Sequence, residues 1–491
     1  MKVVEEMTRD VFDRVDEKRP MHLSLTAQEM RKLGYAAVDM LVEHYNGIEC
    51  KPVIDDLEWR PDDCVASMPF SNQGKDPHEL LLLARDDIFG HSMQMNHPRF
   101  FAYVPGAGNF VGAVADQLSS GFNVSCVTNQ GNLGPVTVER KTVAWLCEQF
   151  GLPNTAGGLF TSGGSAANLI ALTAARHIAL ADSVEDAVVY CTSETHRCIG
   201  RALFILGFRN DQMHSLETNE CLQMDPAHLA EAIEEDRDAG KIPFCVAASA
   251  GTTSSGSVDP LDQIAEICER ESLWLHVDAA FGGGAILTRR GRDQMRGIER
   301  AKSIAVDPHK WFFQPYECGC VLVRDPVMLY DTFQDLAVYE TDTDGGSTDI
   351  NYRDMGLQRS RNFKAFKLWL SLQVFGVDAF RRAVDHGLDL AEMAERILRA
   401  RKHWHVVTPA KLGIITFQYR PPGLSEVEVD QLNEQMTNAM CRSGYAYMST
   451  TQLFGRKVQR LCLNRLDAIE TEITETIKKL ELIAQDFCTT Q

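Results

Sequence analysis

Between Leu25 and Tyr45 the apolar residues Met30, Leu33, Ala37, Met40, Leu41 and Tyr45 recur mostly at intervals of three and four, the spacing of one face of an amphipathic helix. Thr26 is placed to cap that helix, and Glu29 three residues on completes a capping box. Pro52, Pro61 and Pro69 punctuate the next stretch, and a second helix is predicted near 77–89. This segment has little material for a core of its own, so it is expected to pack on another surface. From about residue 158 to 323 the pattern changes to short apolar runs, Ala187–Cys191, Phe244–Ser249, Leu273–Val277, Ser303–Val306 and Cys320–Val323. Helix-like stretches lie before or between them at Ala166–Ala181, Arg197–Leu206, Asp225–Ala239 and Pro260–Glu271. Strands alternating with helices imply βαβ units and a largely parallel, buried sheet. The last two runs leave no room for a crossover helix, which suggests a hairpin with an antiparallel strand. Beyond residue 363 the pattern reads helix (Phe363–Phe375, Ala379–Lys402), strand (Gly413–Tyr419), helix (Glu426–Ser443), strand (Val458–Leu463) and helix (Glu470–Cys488), a small α+β C-terminal domain.

Composition narrows the class. The 491 residues are 44% hydrophobic and 24% charged, near the averages for soluble globular chains, and no run approaches the roughly 18 apolar residues of a membrane-spanning helix. The N-terminus alternates charge with apolar residues and lacks a signal-peptide core, so a cytoplasmic protein is expected. A formal net charge of −19 argues against nucleic acid or an anionic membrane as partner, since both call for basic patches. The 14 cysteines are scattered below the density of a disulfide scaffold and read as reduced core thiols. Cys318 and Cys320 have no second Cys/His pair at zinc-site spacing, and no metal is expected.

Two residues carry the candidate chemistry. Asp278 ends the run Leu273–Asp278, and Lys310 follows the run Ser303–Val306 within Asp307-Pro308-His309-Lys310-Trp311. A pyridoxal 5'-phosphate (PLP) enzyme needs a lysine amine to hold the cofactor aldehyde and a carboxylate to keep the pyridine nitrogen protonated. Both residue types stand here at the C-terminal ends of strands, the edge of an open α/β sheet where ligands bind. Ser162, Gly163, Gly164 and Ser165 precede a long helix, whose N-terminal N–H groups suit a phosphate, although such a turn also serves as an ordinary cap. It lacks the lysine of a P-loop and does not match the dinucleotide fingerprint. His196 follows another apolar run, where its ring can lie against a flat cofactor or be merely structural. Thr252 and Thr253 sit similarly at a strand end, with hydroxyls suited to a phenolic oxygen or phosphate.

The blocks His97-Pro98-Arg99-Phe100-Phe101, Ser162–Ser165, His196, Gly251-Thr252-Thr253, His276-Val277-Asp278-Ala279-Ala280 and Asp307–Trp311 stand in the order typical of the group II PLP-dependent amino-acid decarboxylases. Over about residues 25–480 the chain resembles that family, and within it the aromatic-L-amino-acid type. The resemblance implies an α/β, type I PLP-enzyme (aspartate aminotransferase-like) fold: a mainly parallel sheet with helices on both faces, plus the small C-terminal domain. It further implies an obligate homodimer with shared active sites, across which an N-terminal helical segment is exchanged. The corresponding divisions are 1–105, 106–385 and 386–491. Residue by residue, the resemblance makes Lys310 the cofactor-holding lysine and Asp278 the partner of the ring nitrogen. His196 stacks on the ring and Ala280 covers its other face. Ser162, Gly163, Gly164 and His309 form the phosphate cradle, with Thr253 nearby. Relatives of the aromatic branch commonly have asparagine where this chain has Asp307, and a carboxylate beside a phosphate is repulsive, so the Asp307 side chain is expected to point elsewhere.

The polar, glycine-containing stretch 337–346 reads as a mobile loop, and its Tyr339 resembles the family tyrosine that protonates the substrate α-carbon. The implied reaction is decarboxylation of an L-amino acid to the amine. Phe101, Tyr103 and Pro105 resemble an aromatic pocket wall, which favours tryptophan, tyrosine, phenylalanine or dihydroxyphenylalanine. Ser360 falls where serine accompanies smaller substrates such as histidine. Alternatives are an acidic or diamino acid substrate (glutamate, cysteine sulfinate, diaminobutyrate), an aldehyde synthase, which phenylalanine in place of Tyr339 would favour, and a catalytically inert scaffold, against which the joint presence of Lys310, Asp278 and His196 argues.

Overall fold

A computed structural model of the chain describes residue 23 and residues 25–55, 65–180, 183–334, 351–466 and 468–489. These residues divide into two compact units: one contains the residues up to Cys50 together with 65–92, and the other contains 51–55 together with Met93 onward.

In the first unit the helix Ala27–Gly47 starts as its sequence requires. The Thr26 hydroxyl accepts the Glu29 N–H at 3.3 Å, and the Glu29 carboxylate accepts the Thr26 N–H at 2.7 Å. None of the helix's residues is buried, and Met30 and Tyr35 are more than half exposed. A shorter helix, Pro77–Leu83, comes next and runs into a π turn, Ala84–Phe89.

The second unit is built on two sheets. The larger contains β1 (Gly157–Thr161), β2 (Ala187–Thr192), β3 (Met213–Leu216), β4 (Ile242–Ser249), β5 (Trp274–Asp278), β6 (Ser303–Val306) and β7 (Gly319–Val323), in the order β1-β7-β6-β5-β4-β2-β3. Pairs among β2 to β6 are parallel, while β7 runs antiparallel to both β6 and β1. Every strand except β7 therefore points the same way. Every residue of β2, β5, β6 and β7 is buried, as a sheet covered on both faces requires. The smaller sheet is antiparallel, with β8 (Trp404–Lys411), β9 (Ile414–Tyr419), β10 (Ser449–Leu453) and β11 (Arg456–Cys462) in the order β10-β11-β9-β8. Leu390, Phe417, Met436, Leu461 and Ile477 share its core with the helices Val377–Arg399, Glu426–Arg442 and Glu470–Thr489. Residues 93–106 lie in this second unit and tie the sheets together: the Phe101 N–H donates to the Tyr447 carbonyl, the Cys462 N–H donates to the Phe101 carbonyl, and the Gly106 N–H donates to the His309 carbonyl.

Candidate functional site

Because the strands other than β7 are codirectional, their C-terminal ends meet at one edge of the sheet. Ser162 follows β1, His196 follows β2, Gly251 to Thr253 follow β4, Asp278 ends β5, and Asp307 to Lys310 follow β6. A cavity of about 310 Å³ opens there, the size of a small-molecule site. Ser162, Gly163, Gly164, His196, Thr253, Asp278, Ala280, His309 and Lys310 all line it. The structure thus brings together nine of the residues singled out from the sequence.

Glycine at the cradle is required for room rather than for backbone conformation. A Cβ at Gly164 would lie 2.9 Å from the Ala280 Cβ, and one at Gly163 would lie 3.3 Å from the His309 ring. The helix Gly164–Leu180 begins at the cavity wall, so its first N–H groups suit an anion. At the end of β4 Gly251 has φ +102° and passes so close to Gly282 that an added Cβ would stand 3.0 Å from its Cα, which only glycine tolerates. Thr252 and Thr253 part company. The Thr252 hydroxyl is taken up inside the turn by the Ser255 hydroxyl and the Ser257 N–H, whereas Thr253 is exposed at the cavity.

Lys310 is held by a tight turn in which its N–H donates to the Asp307 carbonyl at 2.8 Å. Its Nζ lies 2.8 Å from Asp307 Oδ2, with the carboxylate 3% exposed. Burial works against the ammonium, but the adjacent carboxylate outweighs it and holds the amine above its ordinary range. This corrects the expectation for Asp307, whose side chain points into the cavity. The half-buried Lys310 ammonium compensates the charge that would otherwise repel a phosphate. The second oxygen of Asp307, Oδ1, has no hydrogen-bond partner among the described residues. His309 accepts the Cys318 N–H at Nδ1 (3.1 Å), which leaves Nε2 to carry the proton on the side of Asp307, and burial lowers its basicity. The Tyr316 ring lies 4.5 Å from that imidazole.

Asp278 is 9% exposed and receives one N–H on each oxygen, from Ala280 at Oδ1 (3.0 Å) and from the Asn168 side chain at Oδ2 (3.0 Å). Cys198, 3.9 Å from Oδ2, stays a thiol, because burial and the Asp278 charge push it up to about 12. His196 caps the helix Arg197–Ile205, its Nδ1 accepting the Cys198 N–H, and its ring is exposed at the cavity.

The expected pocket wall is not part of this cavity. Phe101 is fully buried in the core of the smaller sheet, because the extended chain from Phe100 to Ala102 turns alternate side chains to opposite sides. Tyr103 is half exposed, the Pro105 carbonyl accepts from Asn464, and Ser360 is exposed beside the buried Arg361. Tyr339 lies outside the described residues. The sequence reading missed Asn168, His276, Ser303 and the Lys310–Asp307 pair. The signal available for His276 was its spacing from Asp278: two apart on a strand, they share a face.

The donor set fits PLP: a glycine cradle at a helix N-terminus, an amine with a buried counter-charge, and a carboxylate held by two N–H groups within one cavity. Comparison with known proteins agrees. Residues 67–420 match the pyridoxal-dependent decarboxylase conserved domain. An aromatic-L-amino-acid decarboxylase of Bacillus atrophaeus is 43% identical over 95% of this chain and 97% of its own. Tyrosine decarboxylase 4 of Petroselinum crispum is 30% identical over 90% and 91%. A crystal structure of Oryza sativa TDC with PLP and tryptamine superposes with a TM-score of 0.89 at 27% identity, covering 95% of this chain and all of that one. No helix among the described residues is long and apolar enough to cross a membrane. With the cavity, the fold and these relatives in agreement, the chain belongs to the pyridoxal-dependent decarboxylases and is a PLP-dependent amino-acid decarboxylase.

Proposed function

We propose that the substrate is an aromatic L-amino acid, released as CO2 and the corresponding amine, and that the working form is a homodimer. The observation that carries the substrate class is the 43% identity, over nearly the whole chain, with an aromatic-L-amino-acid decarboxylase. The dimer is supported by the apolar side chains that the helix Ala27–Gly47 leaves uncovered.

When bound, the cofactor supplies an electron sink for the pair released as the Cα–carboxylate bond breaks. Lys310 would hold its aldehyde covalently. To do so the ammonium must first lose a proton, and Asp307 Oδ2, 2.8 Å away, is placed to receive it. Asp278 would hold the ring nitrogen protonated, His196 and Ala280 would bracket the ring, and Ser162, Gly163, Gly164, Thr253 and His309 would take the phosphate. Tyr339, assigned from the sequence, returns a proton to the substrate α-carbon.

The test is amine formation across tryptophan, tyrosine, phenylalanine, dihydroxyphenylalanine, histidine, glutamate and diaminobutyrate, with Lys310→Ala as the blank. The largest kcat/KM is expected among the first four. A preference for histidine, glutamate or diaminobutyrate would overturn the aromatic assignment.

A further inference from the structure

Behind Asp278 lies a buried line of hydrogen bonds. Trp274 Nε1 donates to Ser303 Oγ at 2.8 Å, Ser303 Oγ meets His276 Nδ1 at 2.9 Å, His276 Nε2 meets Asn168 Oδ1 at 2.8 Å, and Asn168 Nδ2 donates to Asp278 Oδ2 at 3.0 Å. All of these residues except Asp278 are at most 2% exposed. One assignment of protons satisfies every group. The carboxylate can only accept, so the Asn168 amide turns its NH2 to Asp278 and its carbonyl to His276. His276 must then carry its proton on Nε2, and Nδ1 accepts from the Ser303 hydroxyl, whose oxygen accepts from Trp274. Along the line each bond is donated toward Asp278 and none back, while Asn168 Nδ2 also donates to Cys198 Sγ at 3.1 Å. The imidazole stays neutral, since full burial lowers it to about 4.

We propose that Asn168 and His276 are positioning residues that fix the orientation of Asp278, so that it presents the oxygens left open on the cavity side to the ring nitrogen of the cofactor. A carboxylate that receives fixed N–H donors loses its freedom to rotate. Asn168 thus acts on the cofactor through Asp278 and through no contact of its own with the ring nitrogen. The inference rests on Asp278 as the partner of that nitrogen.

The test compares two ligands for the cofactor-free protein: PLP, and an analogue in which carbon replaces the ring nitrogen. Equilibrium binding is read by protein fluorescence. Asn168→Val and Asn168→Thr are nearly isosteric, but only the threonine hydroxyl can accept from His276 and donate to Asp278. Asn168→Val is expected to weaken PLP by roughly 10- to 100-fold, the usual effect of losing a residue that orients a ligand group. It should leave the analogue's affinity unchanged, and Asn168→Thr should recover most of the loss. Ser303→Ala, at the far end of the line and outside the cavity lining, should show the same selectivity at smaller amplitude, and it decides the matter if the valine variant does not fold. Equal weakening of both ligands, or threonine and valine behaving alike, overturns the relay. Asp278→Asn separates the two levels of the argument. If it fails to discriminate between the ligands, the assignment of Asp278 itself is wrong. If it discriminates and the Asn168 and Ser303 variants do not, only the relay is.

Discussion

Lys310 and Asp307 face each other with little water between them, and the consequence for pH has a definite sign. The carboxylate holds the amine above its ordinary range against the opposing effect of burial. With Asp307→Asn the largest influence opposing burial is gone and only the weaker ones of Asp278 and Tyr316 remain, so the amine should release its proton at lower pH. The cofactor-free variant should therefore capture an aldehyde over a pH range displaced downward from that of the wild type. Capture rate against pH measures this, and coincident profiles would refute the pairing. The same linkage makes the pair's contribution to stability complete below the ordinary lysine value and lost as pH rises through the elevated one. Tyr339 is argued from sequence alone. If its phenol protonates the substrate α-carbon, Tyr339→Phe removes the acid and keeps the ring, and the carbanion survives long enough to meet oxygen. Aldehyde, ammonia and peroxide should rise as amine falls. Amine at the normal rate without peroxide would exclude Tyr339 as the donor. At this scale the sequence made nine of the residues that line the cavity legible, because they stand at or just past the ends of strands. The partners behind them were hidden: Asn168 and His276 lie 108 positions apart along the chain, and only the packing of a helix on the sheet makes them neighbours.

The elements around the cavity are held by a second buried charge pair. Arg361 Nη2 lies 2.6 Å from Glu139 Oε1, with both side chains at most 2% exposed. The guanidinium also donates to the carbonyls of Cys126 and Phe160, and Glu139 accepts the Phe160 N–H. The pair therefore pins the helix Asn129–Gln149 and β1 to the segment leading into the helix Ala365–Phe375. Arg361→Met should destabilise the fold by about 3–5 kcal/mol, because it strands a buried carboxylate, whereas adding Glu139→Leu should recover part of the loss. Urea unfolding of the two variants measures this, and a double variant weaker than the single would contradict it. Among strands, the sequence showed the interior ones: β2, β4, β5, β6 and β7 of the large sheet, and β9 and β11 of the small one. The four it missed, β1, β3, β8 and β10, are the edges of the two sheets. A central strand buried on both faces needs a continuous apolar run, while an edge such as Ser449–Leu453 carries polar residues and gives no such signal. The helix Asn129–Gln149 was missed for a different reason: its first turns hold Gly131, Gly134 and Pro135, and its backbone is non-helical at 130–132.

At the scale of the whole molecule, the 21-residue helix Ala27–Gly47 has no residue buried among the described residues. Sedimentation of the holoenzyme should give a mass of twice 54.8 kDa, and Tyr35→Glu on the exposed face should shift the equilibrium toward monomer with loss of activity. An active species sedimenting at 54.8 kDa would rule out shared sites.

By itself the sequence determined the alternation of strand and helix, the turn chemistry at the strand ends and the place of Lys310 and Asp278 there. All of these depend on residues close together along the chain, where periodicity and capping act. The tertiary structure alone decided which strands became edges, that Asp307 faces Lys310, that Phe101 leaves the cavity for the core of the small sheet, and that Asp278 is backed by Asn168 and His276. Those outcomes depend on which distant segments share a buried volume. There an unpaired charge or an unsatisfied donor is expensive enough to select its partner, and no local pattern records the choice.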